Sequence, residues 1–279
     1  MVSIIIPAYN EEQVIGRCLN ALLDGAHQGE LEVIVACNGC NDGTAEKARA
    51  FGPPVWVVEI EQASKTAALN AGDSLATGFP RIYVDADVVL PLDSVRKVAM
   101  ALQRNGALLA SPVAVTETAH SSAAVRAFYD VSMRLPYNKV MVGTGVYALS
   151  ERGRERFGEF PPIISDDGYV RSRFAPHERI AVEDAPVIVY APGTLSDCIR
   201  VKTRSRLGIY ELRSSYPHQT NADPKRPLAI LRSLPWGVGL PWRVGVYVIV
   251  NVLTRVRAKR LLNDVAQYSW ERDEASRNL

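Results

Sequence analysis

The sequence predicts an α/β fold: a mostly parallel sheet with helices on both faces. Three observations carry this. Apolar runs of strand length recur at 2–6, 31–36, 55–60 and 81–84. Between them lie stretches with apolar residues at helical spacing, as at Val14, Ile15, Leu19, Leu22 and Leu23. The polar segments PAYNEE, CNGCNDGT, EQASK and DADVV each follow a strand, where the loops of an open parallel sheet line a crevice.

The elements follow in order. Strand 2–6 leads to a helix over 11–23, then strand 31–36. Asp42 is placed to cap a helix over 44–50. Strand 55–60, a helix over 66–76, strand 81–84 and a helix over 92–104 continue the alternation. A strand over 107–115, a long helix over 120–135 and a glycine-led strand within 142–150 come next. Ser165 or Asp166 can cap a helix within 164–174. Two short strands, 179–182 and 187–190, precede a basic stretch over 195–212 that carries Arg200, Lys202, Arg204 and Arg206. There is no internal repeat.

The chain has 279 residues, 47% apolar and 22% charged, with a formal net charge of +2. That balance is ordinary for a globular protein and argues against nucleic-acid binding through bulk charge. The start lacks a basic segment followed by a long apolar stretch, so no secretory signal is expected. Cys37 and Cys40 form a C-x-x-C, but Cys18 and Cys198 offer no second pair of ligands, and the surrounding turn formers explain the spacing better than zinc or redox chemistry. A reduced, cytoplasmic setting is expected.

From residue 221 the character changes. A polar, proline-bearing linker leads to apolar pieces split by Pro241 and Arg243. The charge-free run 244–254 is short of the ~20 residues a spanning helix requires. Trp242 and the string Arg255, Arg257, Lys259, Arg260 suit a membrane interface at the inner face, and packing on the domain or self-association is the alternative.

The chemistry centres on Asp85 and Asp87. Aspartate is costly inside a sheet and tolerable at the carboxyl end of a strand. Two hard oxygen ligands there suit Mg²⁺ or Mn²⁺ shared with a phosphate.

The run VSIIIPAYNEEQVIGRCLNAL, then CNGCNDGT, the lysine loop before ALNAG, and DAD together resemble family 2 of the glycosyltransferases. SDDGY and the basic stretch around Arg204 extend the resemblance. It implies the GT-A fold, a Rossmann-like sheet with a C-terminal helical extension here. It also implies inverting transfer of a sugar from a nucleotide-diphosphate sugar, UDP-linked by expectation, to an acceptor hydroxyl. Residues 1–115 are then the nucleotide-sugar-binding half, 116–220 the acceptor and catalytic-base half, and 221–279 a helical tail.

In that frame Pro7, Ala8 and Tyr9 end the first strand at the crevice, and the Tyr9 ring offers a face to a nucleobase. Glu11 can accept from ribose hydroxyls or base N–H groups. Asn38 stands where relatives carry an aspartate, and keeps both a donor and an acceptor. Lys65 beside a helix start suits a phosphate or ribose. The resemblance makes Asp87 the direct metal ligand and points Asp85, next to Ala86, towards ribose or metal. The Asp166–Asp167 pair matches the family's acidic pair, with Asp167 as general base and Asp166 orienting. Gly143, Thr144 and Gly145 shape the acceptor side, and the basic stretch with Arg204 closes over the diphosphate. Leu207 replaces a tryptophan typical of polymer synthases, so transfer of single sugars is expected. The alternatives are a non-catalytic nucleotide-sugar-binding protein and a nucleotidyltransferase, the latter disfavoured because PAYNEE has no glycine.

Overall fold

The computed structural model describes residues 1–104, 106–134, 144–217 and 239–263. β1 (Val2–Ala8), β2 (Leu31–Asn38), β3 (Val55–Ile60) and β4 (Arg81–Val84) pair in parallel. β5 (Leu109–Glu117), β6 (Val146–Leu149) and β7 (Arg179–Tyr190) extend the sheet to the order β3-β2-β1-β4-β6-β5-β7. β6 runs antiparallel to β4, and β5 antiparallel to β6, so the mostly parallel sheet is mixed on one side. Ile4, Ile5, Ile6, Val33, Val35 and Ile82 are wholly buried. Strands covered on both faces need continuous apolar runs rather than alternation, and these have them.

Four helices accompany the parallel strands: α1 (Glu12–Leu23), α2 (Thr44–Arg49), α3 (Lys65–Leu75) and α4 (Leu92–Arg104). The seat of α3 is tight. A Cβ on Gly72 would lie 2.7 Å from the Ile5 Cγ2, so only glycine lets this helix approach β1 so closely. The Ser64 side chain caps the helix by accepting from the Ala67 N–H at 3.3 Å.

The described residues divide into two compact units. The first comprises those of Met1–Val115, Gly143–Pro162 and Arg173–Val189, and holds nearly all of the sheet and α6 (Glu151–Arg154). The second comprises those of Thr116–Val142, Ile163–Ser172 and Tyr190–Leu279. In it α5 (Ala123–Ser132), α8 (Leu195–Ser215) and α9 (Leu240–Leu261) pack together around Val125, Phe128, Cys198, Val246 and Val250, and α7 (Asp166–Ser172) packs on α8. The chain thus leaves the first unit after Val115, and the described residues of 143–162 and 173–189 return to it. Their strands supply hydrogen-bond partners that the sheet beyond β4 needs. Through Val246 and Val250, α9 belongs to the core of the second unit. Residues 218–238 and 264–279, and Gly143 of the glycine-led turn, lie outside the described residues.

Two local expectations are corrected. Residues 179–190 form one strand, not two. Pro186 reads as a breaker, but β7 ends the strand order, and an edge strand tolerates a missing N–H. Asp42 does not occupy the cap position of α2, which falls to Gly43. Its carboxylate instead takes the Thr44 N–H at 3.1 Å and the Glu12 N–H at 3.2 Å, tying the starts of α2 and α1 together.

Candidate active site

β4 delivers its two aspartates to a braced turn. The Asp85 N–H donates to the Gly145 carbonyl at 2.8 Å, extending the ladder one residue past Val84. Beyond the turn, Val89 and Ile188 exchange backbone bonds of 3.0 and 2.9 Å. Ala86, Val88 and Leu90 are buried, which leaves Asp85 and Asp87 partly exposed between apolar anchors. Gly145 has φ +66°, and a Cβ there would meet the Val88 Cγ1 at 2.8 Å and the Asp85 Oδ2 at 3.1 Å. A side chain at this position would fill the space that the Asp85 carboxylate occupies. Thr144 is buried with its hydroxyl bonded to the Val146 carbonyl at 2.7 Å, so this turn is a seat for Asp85.

The Lys65 ammonium lies 2.7 Å from the Asp85 Oδ1. The lysine loop and the DAD turn are thus one site, and the rim already attracts a cation. Cys18, buried beneath, gives a second sign of convergence. Its thiol is pushed up to about 12, first by burial and then by Asp87 and Asp85, with Glu11 adding to the effect and Arg17 opposing it. Asp85, Asp87, Glu11 and Arg17 therefore act on one point. Arg17 was not anticipated, because a basic residue in the middle of an amphipathic helix reads as solvated face.

The two loops beside this rim are stitched together. Asn38 is buried, and its amide donates to the Ala8 carbonyl at 2.8 Å, joining the ends of β2 and β1. Asn10, with φ +52°, accepts the Asn41 N–H at 2.8 Å through its side chain and donates its own N–H to the Cys40 Sγ at 3.3 Å. The Glu11 N–H donates to the Thr44 hydroxyl at 2.7 Å. Cys40 is held low, at about 6, chiefly because the Cys37 thiol donates to it. Cys37 is displaced upward by the same bond and by burial. Pro7, Ala8, Tyr9, Glu11, Asn38, Asp85, Ala86 and Asp87 sit at the carboxyl ends of the parallel strands in the first unit or in the loops that leave them, and Lys65 is the first residue of α3.

Among the described residues, no group of three or more His, Cys, Asp or Glu side chains could hold a metal. The protein offers two carboxylates, the donor set that Mg²⁺ or Mn²⁺ uses when substrate phosphates supply the remaining ligands. Asp85 and Asp87 fit such an ion by chemistry, and the Lys65 ammonium on Asp85 shows that positive charge is accepted there. An open groove of about 780 Å³ beside α1 and α4, lined by Asn20, Leu23, Phe51, Leu92 and Arg96, includes none of these side chains.

In the second unit the acidic pair splits by environment. Asp166 is buried. Asp167 is exposed, and its carboxylate accepts from the Ser165 hydroxyl at 2.8 Å and the Gly168 N–H at 2.7 Å. The start of α7 is pinned by α8, where Glu211 accepts the Ile164 N–H at 2.8 Å. Gly208 permits the approach: a Cβ there would lie 3.0 Å from the Ser165 Cβ. Leu207 is wholly buried. Arg200, Lys202 and Arg206 of α8 meet partners within their own unit. Arg200 pairs with Asp197 at 2.5 Å, Lys202 lies 4.9 Å from the Tyr129 ring centroid, and Arg206 donates to Asn251 at 2.8 Å.

Sheet order, glycine-seated acidic turn and lysine together define an α/β domain of the GT-A class. The comparison with known families gives the particular one. The model for glycosyl transferase family 2 matches residues 3–153, more than half of the chain, and the chain belongs to that family. A 91-residue stretch is 40% identical to Glycosyltransferase AglE of Haloferax volcanii, covering 31% of this chain and 30% of that protein. The chain thus spans about a third of the length of this curated relative. The mannosyltransferase PcManGT from Pyrobaculum calidifontis, solved with GDP-Man and Mn²⁺, superposes with a TM-score of 0.62 at 22% identity, over 95% of this chain and 79% of that one. Glucosyl-3-phosphoglycerate synthase from Mycobacterium tuberculosis, solved with Mn²⁺ and UDP-Glc, gives 0.55 at 20% identity over 77% and 78%. At such identities these structures establish the fold alone.

Proposed function

We propose that this chain transfers a single sugar from a nucleotide-diphosphate sugar to an acceptor hydroxyl, with inversion and with a divalent cation. The observation that carries the reading is the Asp85–Asp87 rim with Lys65 on it, in a family 2 chain. A divalent ion held by Asp87 and Asp85 would offset the charge that gathers on the departing nucleoside diphosphate. Lys65 releases Asp85 to meet a phosphate oxygen. Tyr9 faces the base, and Glu11 accepts from the ribose. The Asn38 amide is engaged by Ala8, so its Oδ1 is the group left to read a base N–H, such as the N3–H of uracil. This supports a UDP-sugar. Support for a metal comes also from the two structural neighbours, each solved with Mn²⁺.

Asp167 is the base in this reading. It takes the proton of the acceptor hydroxyl as that oxygen bonds to the anomeric carbon, from the face opposite the diphosphate. The bond from that carbon to the phosphate oxygen breaks, which inverts the configuration. Asp166 orients its neighbour, Thr144 and Gly145 border the acceptor, and Arg204 supports the diphosphate. Leu207, in place of the polymer-synthase tryptophan, favours release after one transfer.

The test is nucleoside diphosphate release from UDP- and GDP-sugars with Mn²⁺. Asp167→Asn is expected to keep donor affinity and cut turnover by about 10²-fold or more. Pyrophosphate release, or donor binding without turnover by the wild type, would refute the reading.

A further inference from the structure

We infer that α9 lays its outer face on an anionic lipid surface. The helix buries Val246, Val250, Thr254 and Ala258, a strict four-residue spacing that faces α5 and α8. On the other side Trp242, Val248, Ile249, Val252, Leu253 and Val256 are exposed, from 44% to 61%. These are six of the thirteen exposed large apolar side chains found among the described residues. Scattered apolar residues on a surface are ordinary, but a continuous stripe along one helix is not.

Charge identifies the occupant. The 22 residues of α9 contain no acid. Arg243 is paired with Asp130 of α5 at 2.5 Å. Towards the other end Arg255, Lys259 and Arg260 are exposed beside the apolar stripe. A second copy meeting this face through its own α9 would bring a helix without a single counter-charge. Lipid phosphates supply that charge, and acyl chains take the valines, isoleucine and tryptophan. The helix lies on the surface and does not cross it: no helix among the described residues is long and apolar enough to span a membrane. Basic side chains at its end reach the headgroups along their apolar stems.

The full chain should co-sediment with phosphatidylcholine–phosphatidylglycerol vesicles and far less with phosphatidylcholine alone, and added salt should weaken the binding. Two variants separate the contributions. Ile249→Ser with Val252→Ser removes apolar contact, and Arg255→Gln with Lys259→Gln and Arg260→Gln removes charge at about five-fold in affinity per residue. Both act at exposed positions, so unchanged thermal melting is expected. Loss of anionic-vesicle binding in both supports the inference. It is overturned if the wild type ignores both vesicle types, if the variants bind as well as the wild type, or if light scattering shows a dimer that Ile249→Ser with Val252→Ser dissociates.

Discussion

The two ends of β4 handle charge in opposite ways. At its start, Arg81 and Arg154 converge on Asp73, each with a nitrogen 2.7 Å from the carboxylate, and the Tyr83 hydroxyl donates to it at 2.7 Å. Arg81 also donates to the Asp73 and Ala76 carbonyls, and Arg154 stacks on Phe157 with its guanidinium carbon 4.6 Å from the ring centroid. The side chains of this cluster are 7–15% exposed. Burial, then the Asp73 charge, pushes the Tyr83 hydroxyl well above its usual range, so it stays a donor. At the other end, Lys65 and Asp85 are 22% and 37% exposed, with a second acid two residues on. A buried carboxylate with donors all round is a fastener. Acids gathered at an open rim on a rigid seat are a place for a ligand.

The contrast can be broken most easily at the buried end. Removing one partner of a buried ionic cluster costs about 3–5 kcal/mol, because the other charges stay buried. Asp73→Ala should lose that much in denaturant unfolding, and Asp73→Asn less, with donor affinity intact in the folded fraction. A loss below about 1 kcal/mol would make the cluster ornamental. Lys65→Met probes the open end. Its stability should change by no more than about 1 kcal/mol, as for exposed pairs. Its donor affinity by calorimetry should fall about ten-fold or more, the loss expected for a charged hydrogen bond. A large stability loss with donor binding unchanged would make Lys65 a fastener too.

The smallest effect concerns the neighbouring loop. Cys40 is partly exposed, and the other three cysteines are buried. With its thiol near 6, alkylation by iodoacetamide should rise through about pH 6, on Cys40 before the rest. The sign follows from the donor: the Cys37 S–H stabilises the thiolate and lowers the value. Cys37→Ala should move the midpoint back up towards that of an ordinary thiol. An unmoved midpoint would remove the Cys37 bond from the account.

Local rules made much of this readable. Strands β3 and β4 and helix α4 have the bounds expected, because apolar runs there stop at turn formers or at charges. DAD was legible because aspartates at a strand's end have few other places to be. What escaped was long-range. Asp73 meets Arg154 from 81 residues away, and each reads as an ordinary helix residue. Arg17 and Cys18 acquire meaning only when α1 lies against the DAD turn. The double duty of Asp42 depends on two loops meeting, and Pro186 survives in a strand because β7 lies at the end of the sheet. The contacts of Lys202 with Tyr129 and of Arg206 with Asn251 were illegible for the same reason, since the partners are distant in sequence.

Calorimetric titration of a UDP-sugar, with and without Mn²⁺, into the wild type and Asp87→Ala is the most direct trial of the rim. Tight binding by the wild type only with the metal, and none by Asp87→Ala under either condition, is the predicted result. Equal, metal-independent binding by both proteins would contradict it.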